Sequence, residues 1–389
     1  MHPLAATDPS AQTRFAITEE TEPQLLPHGA FTDARAWAAE QDTVFRASWV
    51  NIGFAGDLTR TGDARTFDFL GEPLLMVRDR HGSVRVFHNV CRHRGHLLET
   101  RPTAQLNNIN CAYHAWSYDL DGSFRGAPCW DGQDRQPPSP EAKARLGLRE
   151  VRSATWCDSV FINLDGQAEP FEDFIAPLAQ RWAPYRLEQF RLCSSTTAEA
   201  MGNWKLAIEN FLDSYHFPVI HKEFGNYDVM RRLYNLRVSG DVFGYHMPTG
   251  EADKPKAGTP LKMLNLPERL RPAQDILFLY PNTLLILTST WLQTIALLPV
   301  DTGHTHERIG LYVVQDDSGD PALAKTVEDF IRAELLINRQ DLPVLAALQR
   351  GLRSPAARGG QYVRYWDENP RSLHERLLQA LDYAGVLSA

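Results

Sequence analysis

Between Asn89 and Trp116 the chain reads NVCRHRGHLLETRPTAQLNNINCAYHAW, and this stretch restricts the fold more than any other. It contains Cys91-x-His93 and Cys111-x-x-His114, with seventeen residues between His93 and Cys111. Each pair joins one thiolate to one imidazole. A two-iron two-sulfur (2Fe-2S) cluster in which two Cys hold one iron and two His hold the other needs that mixture. Neutral imidazoles in place of two thiolates remove negative charge and raise the reduction potential above that of an all-Cys cluster. The rival is a structural zinc site, but zinc fingers keep Cys with Cys and His with His. Mixed halves, each followed by a tight turn (Arg94-Gly95 and Ala115-Trp116), favour the cluster.

The pattern CxHRG with CxYHxWxYDLDG resembles the Rieske segment of the Rieske non-heme iron oxygenases. The remaining composition is compatible with such a protein. At 389 residues the chain can form two or three domains, and 43% hydrophobic with 23% charged residues is ordinary for a soluble globular protein. A net charge of -8 without a basic, aromatic-bearing cluster argues against nucleic acid. The first residues lack a basic start and an apolar core, so they are not a secretory signal. Residues 1–28 read instead as a mobile N-terminal tail. Thr283 to Val300 is the most apolar run, but five Thr, Ser or Gln residues interrupt it, which predicts two buried strands rather than a membrane span. Five cysteines, an odd number, suggest a reducing, cytoplasmic location, with Cys129, Cys157 and Cys193 as buried thiols.

In order along the chain, a helix is expected over Asp33–Ser48. Strands follow at Trp49–Phe54, Ala64–Phe69, Pro73–Val77 and Val84–Asn89, with turn signals at Asp79–Gly82 and Asp119–Gly122. Arg149–Ala154 and Val160–Leu164 read as closing strands, after a Pro-rich inserted loop at Pro137–Pro140. An all-β region over 45–165 is thus expected to clamp the cluster between two hairpin tips. Beyond 166, helices are expected at Phe171–Trp182, Trp204–His216, Leu323–Arg353 (interrupted) and Ser372–Ala384. Strands are expected at Phe190–Glu199, Asp275–Tyr280, Thr283–Thr288, Trp291–Pro299 and Arg308–Val314.

A second constellation lies in NWKLAIENFLDSYHFPVIHKEF, Asn203 to Phe224. Glu209, Asp213 and His216 follow at steps of four and three, which predicts one helical face. Pro218 disfavours helical geometry at Phe217 and is expected to end the helix there, so that His221 folds back beside His216. Two imidazoles and one carboxylate, leaving open positions for O2 and substrate, form the facial triad of non-heme iron(II) oxygenases. On the residues alone, two ordinary helix-end histidines remain an alternative.

Written as ENFxDxYHxPxxH, the segment resembles the iron segment of the Rieske oxygenases. That resemblance runs from about residue 25 to the C-terminus and implies an α (oxygenase) subunit. It implies an α+β fold: a β-rich Rieske 2Fe-2S domain (45–165) and a helix-grip catalytic domain, an antiparallel sheet with helices, over 29–44 and 166–389. It assigns Cys91, His93, Cys111 and His114 to the cluster. His216 and His221 go to the mononuclear iron, with Asp341 as its carboxylate in the pattern D-x7-Q-x-G-L. Asp341 followed by Leu342-Pro343 also reads as a helix N-cap, with Glu334 as the fallback ligand. By the same resemblance, Asp213 bridges His216 to His114 of the partner subunit, which implies a head-to-tail homotrimer. His88, Arg94 and His96 read as loop-packing or partner-docking residues.

One cluster and one mononuclear iron imply an electron-fed, O2-dependent enzyme. Neither a flavin or nicotinamide motif nor cysteines for a second cluster are present, so electrons are expected from a separate NAD(P)H-dependent reductase, with or without a ferredoxin. The LLPHGAFTDARAWAAEQDTVFRASW run and the QRGL segment resemble the branch oxidising choline, carnitine, glycine betaine and other N-methyl compounds. Monooxygenation, with loss of formaldehyde in some cases, is the expected outcome there. Aromatic-ring hydroxylation is the alternative, and an electron-transfer protein alone a remote one. Trp204, Trp291, Tyr280 and Tyr312 are the candidate aromatic contacts for a quaternary ammonium.

Overall fold

The computed structural model describes residues 21–133, 136–223, 225–248, 261–267, 273–314, 321–357, 360–363 and 365–388. Of the expected mobile tail, residues 1–20 lie outside the described residues. The rest is not free: β1 (Thr21–Pro23) pairs with a strand near the C-terminus, and Leu26 is buried. Asp33 caps helix α1 (Ala34–Glu40) by accepting the Arg35 amide, and a wider turn continues it through Gln41–Arg46. At its end Glu40 is fully buried and accepts from Lys205 Nζ (2.5 Å), Trp204 Nε1 (2.8 Å) and Tyr383 Oη (2.8 Å).

The cluster-bearing half is built from short antiparallel strands. They are β2 (Val50–Phe54), β3 (Asp63–Phe69), β4 (Glu72–Arg78), β5 (Val84–His88), β6 (Thr103–Gln105), β7 (Ile109–Asn110), β8 (Ser117–Tyr118), β9 (Phe124–Gly126), β10 (Arg152–Trp156) and β11 (Ser159–Asn163). Their orders are β5-β4-β3-β6, β7-β8-β9 and β10-β11-β2. The Asp-x-x-Gly turn after β4 forms because Asp79 Oδ1 accepts the amides of His81 and Ser83 while Gly82 takes φ +84°. A helix, α2 (Pro140–Leu146), replaces the latter part of the expected Pro-rich loop. Ser139 caps it and Pro140 occupies its first position, where a missing amide costs nothing.

After α3 (Phe171–Trp182) comes β12 (Phe190–Ala200), then α4 (Trp204–Leu212), α5 (Phe217–Ile220) and α6 (Tyr227–Met230). Next are β13 (Tyr234–Arg237), β14 (Val242–Pro248), β15 (Ala273–Leu279), β16 (Thr283–Leu287), β17 (Trp291–Asp301) and β18 (His304–Val314). These strands form one antiparallel sheet ordered β12-β18-β17-β16-β15-β14-β13. The apolar Thr283–Val300 run is β16 and β17 of this sheet. Among the described residues no helix is long and apolar enough to cross a membrane.

The chain closes with α7 (Pro321–Leu352), β19 (Gln361–Val363), α8 (Glu368–Ala380) and α9 (Tyr383–Ser388). Three expectations are corrected here. The Trp204–His216 helix stops at Leu212, because Asp213 turns to extended geometry (φ -96°, ψ 114°). The Leu323–Arg353 helix is not interrupted: α7 runs through Pro343. Leu381 breaks the last helix, which was expected to reach Ala384. A core of Trp204, Ile208, Leu212, Ile295, Leu297, Ile309, Leu311, Leu345, Leu373 and Leu377 joins the sheet to α4, α7 and α8.

Candidate metal centres

Two loops present Cys91/His93 and Cys111/His114, and their backbones close alike. The Cys91 amide donates to His96 O (2.8 Å) and its carbonyl accepts from Gly95 (3.1 Å). The Cys111 amide donates to Trp116 O (2.8 Å) and its carbonyl accepts from Ala115 (3.0 Å). Such closure needs left-handed backbone, seen at Gly95 (φ +74°) and Ala115 (φ +55°). Both Cys are buried (3% exposed each), whereas both His are exposed. The His rings lie 4.8 Å apart, and Trp116 stacks on His93 at 4.7 Å and 7°.

Tyr118 Oη lies 3.3 Å from Cys91 Sγ and accepts the Arg92 amide at 3.1 Å, which leaves its proton for the sulfur once that is a thiolate. Burial raises the Cys91 thiol, and Tyr118 opposes that rise. A single tetrahedral zinc would draw all its ligand atoms to within about 4 Å of one another. Here the ligands divide into two like pairs, with both sulfurs buried and the two imidazole rings exposed side by side at 4.8 Å. A buried sulfur pair opposite an exposed imidazole pair fits a two-iron unit instead. Around it, His96 Nδ1 lies 2.5 Å from Leu97 O, Arg94 covers Tyr113 (5.8 Å), and His88 faces Glu72 (3.4 Å).

The second centre is made by a break in the helix. Asp213 leaves α4, and its Oδ1 accepts the Tyr215 amide at 2.5 Å. Its Oδ2 meets His216 Nδ1 at 3.1 Å, so this pair arises from a turn and not from a shared helical face. Pro218 does not end a helix but begins one: it lies in the first turn of α5, whose turn closes by His221 N→Phe217 O (2.8 Å). His221 thereby returns to His216, with ring centroids 5.3 Å apart. Glu209 points elsewhere, to the buried His374 (2.7 Å).

From α7, Asp341 Oδ1 approaches His221 Nε2 at 3.1 Å and His216 Nε2 at 3.6 Å. Asp341 is inside the helix, so the N-cap reading falls. Its Oδ1 is buried yet makes no hydrogen bond, although both imidazoles are close. The ligand atoms of the three groups all lie within 4.8 Å of one another, close enough to share one ion. Both Nδ1 atoms are engaged behind them, His216 by Asp213 and His221 by Gln340 Oε1 (2.8 Å). Gln340 Nε2 donates to Glu223 (2.5 Å), which fixes the amide with its oxygen towards His221. Free Nε2 atoms, oriented rings and an orphaned carboxylate oxygen suit one divalent metal with open positions.

Gln340 was not singled out in the sequence. Its one legible signal was adjacency to Asp341, since it lies 119 residues from its partner His221. Glu334, two helical turns before Asp341, makes no such approach, and burial pushes its carboxyl up to about 7. Glu307, beside Asn338 (2.7 Å), is raised to about 6 by burial.

Three of the four candidate aromatics are committed to packing. Trp204 is fully buried against Phe45, Tyr312 donates to Asp158 (3.0 Å), and Tyr280 lies beneath Arg376 (3.8 Å). Trp291, half-buried against Phe330 of α7 at 5.3 Å, remains on the helix-covered side of the sheet.

An antiparallel helix-covered sheet with a mixed imidazole–carboxylate centre, joined to a Cys/His cluster domain, defines an electron-fed oxygen-activating enzyme. Residues 187–382 match the family of the ring hydroxylating alpha subunit (catalytic domain), and residues 48–138 match the Rieske 2Fe-2S domain. The chain belongs to this family of Rieske non-heme iron oxygenases, oxidoreductases that carry a 2Fe-2S cluster and a mononuclear iron. It is 27% identical over 346 residues, 87% of each chain, to the carnitine monooxygenase oxygenase subunit of Escherichia coli (strain K12). It is 30% identical over 226 residues to the glycine betaine monooxygenase oxygenase subunit of Chromohalobacter salexigens, covering 57% of this chain and 49% of that one. Its fold matches the quaternary ammonium Rieske monooxygenase CntA in complex with L-carnitine, with TM-score 0.72, 22% identity, and 93% and 96% of the two chains covered. The family takes electrons from a separate reductase, acts on small molecules and forms multimers.

Proposed function

We propose that this chain is the oxygenase component of a monooxygenase that hydroxylates or oxidatively N-demethylates a small quaternary-ammonium or N-methyl compound. The observation that carries the iron site is the buried, unpartnered Asp341 Oδ1 facing His216 and His221. The substrate class is supported by the carnitine and glycine betaine relatives. Bound to these residues, iron supplies O2 activation, and the cluster held by Cys91, His93, Cys111 and His114 supplies stored electrons.

The chain's own groups do the remaining work. Asp213 and Gln340 hold the two imidazoles in orientation through their Nδ1–H protons. Asp213, only partly covered, keeps an edge open for His114 of the partner subunit, and His114 is itself exposed. That pairing is met in a head-to-tail homotrimer, one of the rings a heterologous contact forms when its rotation closes. The cluster domain spans 45–165, and the catalytic domain takes 29–44 and 166–389. A reductase using NAD(P)H, with or without a ferredoxin, feeds the exposed His edge. An odd count of five cysteines, two of them given to the cluster, suits a cytoplasmic enzyme.

The second reading, aromatic-ring hydroxylation, is favoured by the name of the matching family. One assay separates the two. Anaerobically loaded protein, a generic reductase, NADH and O2 are given a panel of N-methyl and aromatic compounds, and products and formaldehyde are read by mass spectrometry. Oxidation of a quaternary-ammonium or N-methyl compound is expected. Turnover of aromatic compounds alone supports the second reading.

A further inference from the structure

Another group of metal-competent side chains lies outside both centres, where β12 pairs with the start of β18. Along β18, Thr305 bonds Gly202 O and Glu307 bonds Asn338, so this set faces α4 and α7. Side chains alternate in a strand, so His304 and His306 face the other way. Arg308, next on that side, reaches Asp57 and Thr197. Glu199 of β12 stands directly opposite His306 in the antiparallel register. The three side chains share one face.

Their ligand atoms all lie within 4.8 Å of one another. The two imidazoles are 4.9 Å apart at 84°, an edge-on arrangement that lets two nitrogens aim at one point. His304 Nε2 is closed off from water and has no hydrogen-bond partner. A buried imidazole nitrogen left unpaired is costly unless something else engages it.

We propose that Glu199, His304 and His306 form a third metal site that takes a zinc-class divalent ion. The donor set decides the class. Two nitrogens and one carboxylate oxygen suit zinc and neighbouring transition ions, whereas magnesium and calcium take all-oxygen shells. Three protein ligands leave a fourth tetrahedral position for water, which half-exposed His304 and His306 and exposed Glu199 allow. β12 is the edge strand of the large sheet and leads into Asn203, the cap of α4. The ion therefore pins a free edge just before the helix that delivers Asp213 and His216.

The test uses the full chain with its iron and cluster in place and zinc ions alone as the probe. Equilibrium dialysis with elemental analysis is expected to find one tightly bound zinc per chain without release of iron. Glu199→Gln and His306→Gln are each expected to weaken that binding roughly tenfold or more, as loss of a ligand should, with the cluster signal and iron count unchanged. Cobalt(II) gives a second measurement, with d–d bands in the wild type that vanish in the His304→Gln/His306→Gln double variant. Should the histidine variants fail to fold, Glu199→Gln decides, because Glu199 is exposed. Equal zinc uptake by wild type and variants overturns the site, as does zinc uptake matched by iron loss.

Discussion

Asp213 Oδ2 and His216 Nδ1 stand 3.1 Å apart, and this contact leaves Nε2 as the His216 nitrogen that faces Asp341. In the proposed site Asp213 therefore acts through His216 rather than by touching the metal. Asp213→Ala and Asp213→Asn are expected to keep three irons per chain, as wild type should, while turnover falls by about 10- to 100-fold or more. Single-turnover electron delivery from the reduced cluster should slow in parallel. Full activity in either variant removes Asp213 from the electron route.

Tyr118 Oη lies 3.3 Å from Cys91 Sγ, so with Cys91 holding the cluster as proposed it gives that sulfur a hydrogen bond from inside the fold. Hydrogen bonds to cluster sulfurs stabilise the reduced, more negative state. Tyr118→Phe is expected to lower the reduction potential by tens of millivolts while the cluster stays bound. Protein-film voltammetry on the two proteins checks this, and an unchanged potential contradicts it.

Asp275 is buried at the end of a polar network outside the metal centres. Burial works against its charge, yet His246, Arg181 and Trp182 hold the carboxyl down to about 2. Arg181 binds it with two contacts of 2.7 and 2.8 Å, and Trp182 Nε1 donates at 2.9 Å. Asp275→Ala leaves these groups without a partner and is expected to cost about 3–5 kcal/mol, measured by denaturant unfolding. Because the folded value is depressed, the stabilisation is present above the ordinary value of 3.8 and is lost as pH falls towards 2.

Glu334 gives the opposite sign. Burial raises it to about 7 from the ordinary 4.5, so the folded protein prefers the neutral acid. Stability is full below pH 4.5, declines as pH rises through 7 and then levels off. Glu334→Gln is expected to remove that decline, gaining on the order of 1–3 kcal/mol at pH 8 and nothing at pH 4. Thermal melts at the two pH values decide it. A gain of equal size at both contradicts it.

Much of this architecture was legible where local chemistry dictates geometry. The Asp-x-x-Gly turns at Asp79 and Asp119, the β-branched and Leu-rich runs of β16 and β17, and the mixed Cys/His loops announce themselves. Elements settled by distant contacts did not. α7 runs through Pro343, which withholds a helix hydrogen bond at a cost of about 3 kcal/mol. Buried Leu345 and Gln349 offset that cost, and Gln349 accepts the Asn203 amide (2.8 Å) and donates to Phe31 O (3.1 Å). The helix end at Asp213 turned on a local competition, in which the carboxylate captures the Tyr215 amide. Strands β13 and β14 carry no clean alternation; β14 is placed by its pairing with β15, and β13 by its pairing with β14. Beyond its adjacency to Asp341, Gln340 gave no signal, because a ring-orienting partner is defined by space and not by spacing.

The most direct test counts iron and reads the cluster's electron paramagnetic resonance in wild type and in His216→Ala. Three irons per wild-type chain with a reducible Rieske signal are expected. In His216→Ala, two irons and the same signal should remain while O2-dependent product formation disappears. Zinc in place of iron in colourless wild-type protein, or undiminished product from His216→Ala, would contradict the account.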